Sequence, residues 1–329
     1  ALTFSAVMPL PEGMSEFAFA GILGGKRMRY FKEDGYTVCA DADFVITGEV
    51  YPHDVKPEGP FGDHLGYYSL KHNFPVMKVH KVYHKKNAIW PFTVVGRPPQ
   101  EDTSFGAMIH ELAGDTIQLE LPGVKAVHAV DAAGVHPLLF AIGSERYTPY
   151  VKERFPAEIL TQANHILGFG QMSLAKFLFI AAEEDNKGLN IDDEEAFVQH
   201  ILERVNWERD LHFYTKTSID TLDYSGEGLN TGSKVVIASA GDKCRDLATT
   251  FESKSPLPLG FTNVKVVAPG ILAVGCSAFE AYEKASAEME SWATGLKELL
   301  GEQSNSFPLL ILCDDADFVA ETYNNFLWS

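Results

Sequence analysis

The chain has 329 residues, 45 of them acidic and 27 basic, for a formal net charge of −18. That excess argues against DNA, RNA or an anionic membrane as main partner, each of which needs a cationic face. The length suggests two domains with a core that needs no disulfide or metal. No apolar run reaches the ~18 residues of a membrane-crossing helix. Cys39, Cys244, Cys276 and Cys313 form no CxxC pair, which fits free thiols in a reducing cytoplasm.

In chain order, Leu2 to Met8 reads as a strand already under way, with no signal peptide ahead of it. Gly13 to Gly25 reads as a short helix that Ser15 caps and glycines end. Between Met28 and Val50, the β-rich runs 29–31, 36–39 and 44–47 are broken by Asp and Gly. Pro52 to Gly66 is rich in turn residues, and the runs Val76–Tyr83 and Ile89–Val95 look like an antiparallel hairpin. The first ~105 residues are thus expected to be antiparallel β, a barrel or half-barrel.

The texture changes after Gly96-Arg97-Pro98-Pro99. Helical patterns at Phe105–Ala113 and Pro156–Gly168 alternate with apolar strands at Phe177–Ile180 and Val235–Ile237. This predicts an α/β domain with a largely parallel sheet. Residues 175–185 resemble residues 307–317, each a buried strand running into an acidic turn and a helix, so a duplicated strand–helix unit is expected from about 305. The acidic turns are read as caps of the helices that follow. Asp192 to Glu195 reads as the acidic first turn of an exposed helix, and Thr103 and Ser104 as helix caps. The end, Phe326-Leu327-Trp328-Ser329, falls within an apparent amphipathic helix with no cap, so the chain is expected to be part of a longer polypeptide.

The densest chemical signal is Pro57-Glu58-Gly59-Pro60-Phe61-Gly62-Asp63-His64-Leu65-Gly66-Tyr67-Tyr68. Glycine permits sharp turns and close approach to a ligand, and proline fixes φ. The segment is therefore a shaped loop, where active sites often lie. Neighbouring carboxylates can divide the labour, one ionised and one holding a proton. A solvated acidic turn accounts for the same residues on composition alone, because Asp and Gly are default turn residues. His64 could line a pocket, whereas His53, His72, His80 and His84 lie on or beside strands, and no HExxH pattern points to a zincin. Tyr67 and Tyr68 read as wall residues.

Glu58 to Tyr68 closely resembles the signature of the UbiD-type decarboxylases, the 3-polyprenyl-4-hydroxybenzoate decarboxylase-like enzymes that use prenylated FMN. Three further segments agree in order: Ser15 to Gly21 resembles the family's metal-binding helix, Val95 to Asp102 its Gly-Arg-Pro-Pro turn, and Ser225 to Lys234 its Gly-Ser-Lys segment. The resemblance implies a split, flavin-reductase-like β-barrel that binds the cofactor, here residues 1–105 in part, followed by a C-terminal α/β domain over 106–329. It implies Glu16 as ligand of a divalent metal, usually manganese, which a hard carboxylate suits. It implies Glu58 and Asp63 as the catalytic carboxylates, with Asp63 the proton donor, in a carboxy-lyase that reversibly decarboxylates an aromatic or α,β-unsaturated acid.

The family's arginine, flavin contacts and remaining metal ligands lie ahead of the glutamate helix, so the flavin-binding residues of this chain stay unassigned. A non-catalytic fragment or assembly subunit is the alternative. The implied partners are a small-molecule acid, a flavin prenyltransferase as cofactor supplier and further copies of the chain. Lys234 matches the family lysine, but Ala238-Ser239-Ala240 replaces the usual acidic continuation. Its expected place is structural, with its stem along a sheet edge.

Overall fold

The computed structural model describes residues 2–8, 10, 12–147, 150–226, 228–253 and 256–329, without the side chains of Val7, Ala113, Asp115, Thr116 and Ile117. The backbone divides into two units, one ending at Gly96 and one starting at Arg97.

In the first unit, α1 (Leu2–Val7) is a helix and not the expected strand. Six residues cannot separate a period of 2 from one of 3.6, and the contact of α1 with α2 (Glu16–Leu23) decides the matter. Helix α2 begins as expected, with the Ser15 side chain accepting from the Phe17 amide at 3.3 Å. It ends at Gly24, whose amide donates to the Ala20 carbonyl. Strands β1 (Tyr30–Glu33) and β2 (Tyr36–Cys39) form a hairpin around Asp34-Gly35, both at positive φ (48° and 83°). Such a two-residue turn matches the twist of the strands it joins.

Strand β3 (Phe44–Glu58) pairs antiparallel with β4 (His72–His84), from Phe44↔His84 to Glu58↔His72. Two expectations fail here. The turn-rich segment from Pro52 is strand as far as Glu58, because a register shift between Val50 and Val55 absorbs Pro52 and His53 (φ 70°); bulges are where strands accept proline. Residues 89–95 are not a strand. Pro91 lacks the amide a ladder needs, and β4 takes its partner from β3. The described strands of this unit thus form two two-stranded sheets.

The second unit opens with α3 (Glu101–Glu120). Thr103 sits inside its first turn and is not its cap; its Oγ1 accepts from the Gln100 amide and donates to Asp131 Oδ1. A five-stranded sheet follows, built from β5 (Val124–Ala129), β6 (Leu138–Gly143), β7 (Phe177–Ala182), β8 (Leu211–Thr217) and β9 (Gly232–Ser239) in the order β5-β6-β7-β9-β8. Only β6, β7 and β9 run parallel; both edges are antiparallel. The expectation of a largely parallel sheet therefore holds for the centre alone. Residues 130–137 are too few for the crossover that a parallel β5–β6 pair requires.

Helix α4 (Glu158–Leu167) covers one face with Ile159, Ala163 and Ile166 against Leu178, Ile180 and Val236. Helix α5 (Glu194–Leu202) covers the other, with Phe197, Ile201 and Leu202 against Phe140, Ala181 and Ile237. Burial on both faces is why β7 reads as an unbroken apolar run. The first turn of α5 is acidic and exposed as expected, but its body is core.

A second sheet holds β10 (Phe261–Ala268), β11 (Ile271–Cys276) and β12 (Leu309–Cys313), with α6 (Tyr282–Leu300) crossing between β11 and β12. Helices α7 (Ala316–Glu321) and α8 (Tyr323–Trp328) follow. Asp315 caps α7 by accepting from the Phe318 amide at 2.9 Å, the role expected of an acidic turn. In the matching turn after β7 the role differs: Asp185 accepts from the Gly241 amide at 2.8 Å and pairs with Arg154 at 2.5 Å, while Asp193 caps α5. All four cysteines are free thiols. Among the described residues no helix is long and apolar enough to cross a membrane.

The core carries one titratable group with a clear pH consequence. His200 in α5 is 4% exposed, and its Nε2 has no hydrogen-bond partner among the described residues. Burial, then the nearby Arg204, push its pKa down from 6.5 to about 4. Between those values the unfolded chain binds a proton that the folded one refuses, so stability falls as pH falls through this window. The full loss is about 3 kcal/mol. Urea unfolding at pH 7 and pH 4.5 should show most of it in the wild type and little of it in His200→Gln. An equal loss in both proteins would place the acid sensitivity elsewhere.

Candidate active site

Glu58 is the last residue of β3, exposed and opposite His72. Gly59 follows at φ 92°, where an added Cβ would lie 2.9 Å from both the Leu70 carbonyl oxygen and Ser69 Oγ. Both the turn and the close approach require glycine. Beyond it the chain folds back as a small closed loop. The Phe61 amide donates to Ser69 Oγ at 3.0 Å, and the Ser69 amide to the Phe61 carbonyl at 2.8 Å. Gly62 bridges to Tyr68.

At the tip, the Asp63 amide donates to the Tyr67 carbonyl, and the Gly66 amide to the Asp63 carbonyl, both at 3.0 Å. Asp63 thus opens a β-turn that Gly66 closes at φ 82°, the positions these residues favour. Asp63 Oδ1 accepts from the His64 amide at 2.8 Å and faces His64 Nδ1 at 3.2 Å. The Asp63 side chain is 15% exposed. The two carboxylates therefore differ in setting: Glu58 stands in solvent at a strand end, and Asp63 is held in a turn five residues on. Placing both on one loop was too coarse, since β3 extends through Glu58. Around them Phe61, Tyr67 and Tyr68 keep much of their rings exposed.

Glu16 is the first residue of α2 and exposed. Among the described residues it belongs to no cluster of three His, Cys, Asp or Glu groups. The chemistry of this donor suits a hard divalent cation, but one carboxylate leaves most of an octahedron to phosphate, water or other ligands.

Two motif residues lie in the second unit. Arg97 of the Gly-Arg-Pro-Pro turn donates to Asn325 Oδ1. Its guanidinium stands 5.2 Å from the Phe318 ring centroid and 6.0 Å from that of Trp328, within cation–π range. Lys234 is 6% exposed and lies on β9, which has neighbours on both sides, so the expected edge position is wrong. Its Nζ donates to the Ser173 carbonyl, and burial lowers its pKa. Glu227 of the same segment lies outside the described residues.

A pairing that sequence reading missed is His136 with buried Asp220, Nδ1 to Oδ2 at 2.6 Å. A carboxylate on Nδ1 fixes the ring's tautomer and orientation. The residues are 84 positions apart, and the one local hint is Gly134, the turn residue just ahead of His136.

Two family profiles match the chain. One, described as the 3-octaprenyl-4-hydroxybenzoate carboxy-lyase Rift-related domain of UbiD, matches residues 1–98. The other, the C-terminal domain of the same carboxy-lyase, matches residues 103–239. A Chlamydia pneumoniae protein, named as a subunit of 4-hydroxybenzoate decarboxylase, is 38% identical over 330 residues, 99% of this chain and 52% of that protein. An uncharacterized protein of Chlamydia trachomatis is 37% identical over the same shares. The chain thus spans about half the length of these curated relatives.

Among solved structures, vanillic acid decarboxylase of Sedimentibacter hydroxybenzoicus in its closed form matches with a TM-score of 0.61 at 19% identity, over 88% of this chain and 55% of that one. The UbiD-class enzyme HmfF of Pelotomaculum thermopropionicum, in complex with FMN, matches with a TM-score of 0.57 at 20% identity, over 78% and 54%. These two show likeness of fold.

Proposed function

Because this chain belongs to the UbiD family of carboxy-lyases, we propose that it carries the proton-donating half of a prenylated-FMN-dependent enzyme. The reaction is the reversible decarboxylation of an aromatic or α,β-unsaturated carboxylic acid. The observation that carries the reading is the Asp63 turn, a largely covered carboxyl with one oxygen held by a backbone amide. Loss of CO2 from an sp2 carbon leaves an electron pair, for which prenylated FMN, when bound, supplies the sink.

The rest falls to side chains of this chain. Asp63 holds a proton on Oδ2 and gives it to the carbon that lost CO2. The His64 amide on Oδ1 keeps the carboxyl from swinging, and Glu58 serves as the second carboxylate of the catalytic network. Glu16 would hold Mn2+ through a carboxylate oxygen, a hard donor that suits such a cation. In this reading residues 1–105 belong to the split-barrel, cofactor-binding domain and residues 106–329 to the C-terminal α/β domain. The enzyme is a cytoplasmic homo-oligomer that receives its flavin from a flavin prenyltransferase. The second reading is a non-catalytic fragment or assembly subunit of such an enzyme, and the Chlamydia pneumoniae relative's name as a decarboxylase subunit favours it.

The test uses a polypeptide of the relatives' length made alongside a flavin prenyltransferase. It should take up Mn2+, show visible flavin absorption and release CO2 from at least one acid of a panel. Glu16→Gln should weaken Mn2+ binding by about tenfold or more. Residues 1–329 alone should bind Mn2+ weakly at best; tight stoichiometric manganese in that chain would contradict the assignment of Glu16 as its one metal ligand. A flavin-loaded protein inert toward every aromatic and unsaturated acid would favour the second reading.

A further inference from the structure

We propose that the open edge of β12 is a strand-pairing site, and that its occupant is a parallel strand of the same polypeptide from outside residues 1–329. The second unit uses one strand plan twice. In the five-stranded sheet β5 pairs antiparallel with β6, α4 crosses over, and β7 returns parallel to β6. In the other sheet β10 pairs antiparallel with β11, α6 crosses over, and β12 returns parallel to β11. Residues 175–185 and 307–317, alike in sequence, hold corresponding places. The two sheets differ at one point. β7 takes β9 as a parallel neighbour on its far side, whereas β12 ends its sheet with no described strand beyond it.

The composition of β12 is that of an inner strand. An edge strand is normally guarded against unwanted pairing by a charge, a proline or a bulge. The other three edges of the two sheets carry such guards: Lys125 and a register shift in β5, Lys216 and a shift in β8, Lys265 and two shifts in β10. β12 reads Leu309-Leu310-Ile311-Leu312-Cys313, with no charge, no proline and an unbroken register. Leu309 and Ile311 pack into the cluster of Ile271 and Leu327, and Leu310 and Leu312 into that of Leu272 and Trp292. All five side chains nevertheless stay partly exposed, which fits a strand covered on both faces and bare along one edge.

The ladder fixes which backbone groups face that edge. The Leu309 amide donates to the Gly270 carbonyl at 3.3 Å. Along a parallel ladder alternate residues bond to the same neighbour. Ile311 and Cys313 therefore also turn to β11, and Leu310 and Leu312 turn their N–H and C=O groups to the open side. Helices α7 and α8 pack toward β10, the opposite edge of the sheet. Direction selects the occupant. A second copy on a twofold axis would set β12 against β12 antiparallel. The parallel neighbour that β9 gives to β7 calls instead for a crossover within one polypeptide. Length for it exists in the relatives, since this chain spans 52% of the Chlamydia pneumoniae protein.

Residue-resolved amide hydrogen exchange tests this in residues 1–329 and in a polypeptide of the relatives' length. In residues 1–329 the amides of Leu310 and Leu312 should exchange about 100-fold faster than that of Ile311, which β11 holds. In the longer polypeptide all three should be protected alike, within about threefold and independent of protein concentration. Fast exchange at Leu310 and Leu312 in the longer polypeptide overturns the proposal. So does equal protection of the three already in residues 1–329, which would mean that the chain covers this edge itself. Protection that rises with protein concentration in either sample would make a second copy the occupant, and overturns it too.

Discussion

Asp63→Asn, in a polypeptide of the relatives' full length, should leave fold and cofactor uptake intact and abolish net turnover. The amide keeps the size of the carboxyl and can still accept from the His64 amide, but it cannot give up a proton at neutral pH. General acid catalysis is worth ~10²–10⁴-fold, so the loss is expected in that range. A turn residue with no chemical role would tolerate the change within a few tenths of a kcal/mol. Glu58→Gln should also impair turnover, and the double variant should lose less than the product of the two losses, because the proposed mechanism has both groups serve one proton. The measurement is CO2 release by each single variant and the double. Near-wild-type rates in Asp63→Asn, with the flavin spectrum unchanged, would remove Asp63 from the mechanism.

The largest stability loss is expected at Phe140. The ring is fully buried in the middle of β6. It stacks on Phe197 of α5 at 4.6 Å and meets Phe179 of β7 edge-on at 5.7 Å. Phe140→Ala would remove the ring that joins the sheet to α5 and leave a cavity that neighbouring strands cannot close. The cost is about 3–5 kcal/mol, or roughly 10 °C in Tm for a unit of this size. Phe140→Leu should recover more than half. A loss below about 1 kcal/mol by thermal unfolding would mean that the site collapses around the gap.

What the sequence disclosed follows from the range of the interactions involved. The Ser15 cap, the Asp34-Gly35 turn and the closed loop at Asp63 rest on neighbours within a few positions, and their residue types announce them. The central strands were legible because burial on both faces leaves an apolar run. The failures were cases where a distant partner decides. Residues 2–7 are helical through contact with α2. Residues 89–95 lost their place in a hairpin because β4 had another partner. The parallel character of the sheet stops at its edges, where short connections dictate direction. Within the candidate site, the resemblance supplied Glu16, Glu58 and Asp63. The hydrogen bonds of His64 and the extension of β3 through Glu58 needed coordinates. The His136–Asp220 and Arg97–Asn325 pairs could not be read locally, since their members lie 84 and 228 positions apart.

The Arg97 bracket has a topological consequence. Arg97 opens the second unit, while Asn325 and Trp328 lie on α8, so the bracket ties the unit's first residue to a helix 228 positions on. A contact between positions so far apart closes a long loop, whose entropic cost grows only slowly with length. The guanidinium then acts as the clasp of a ring.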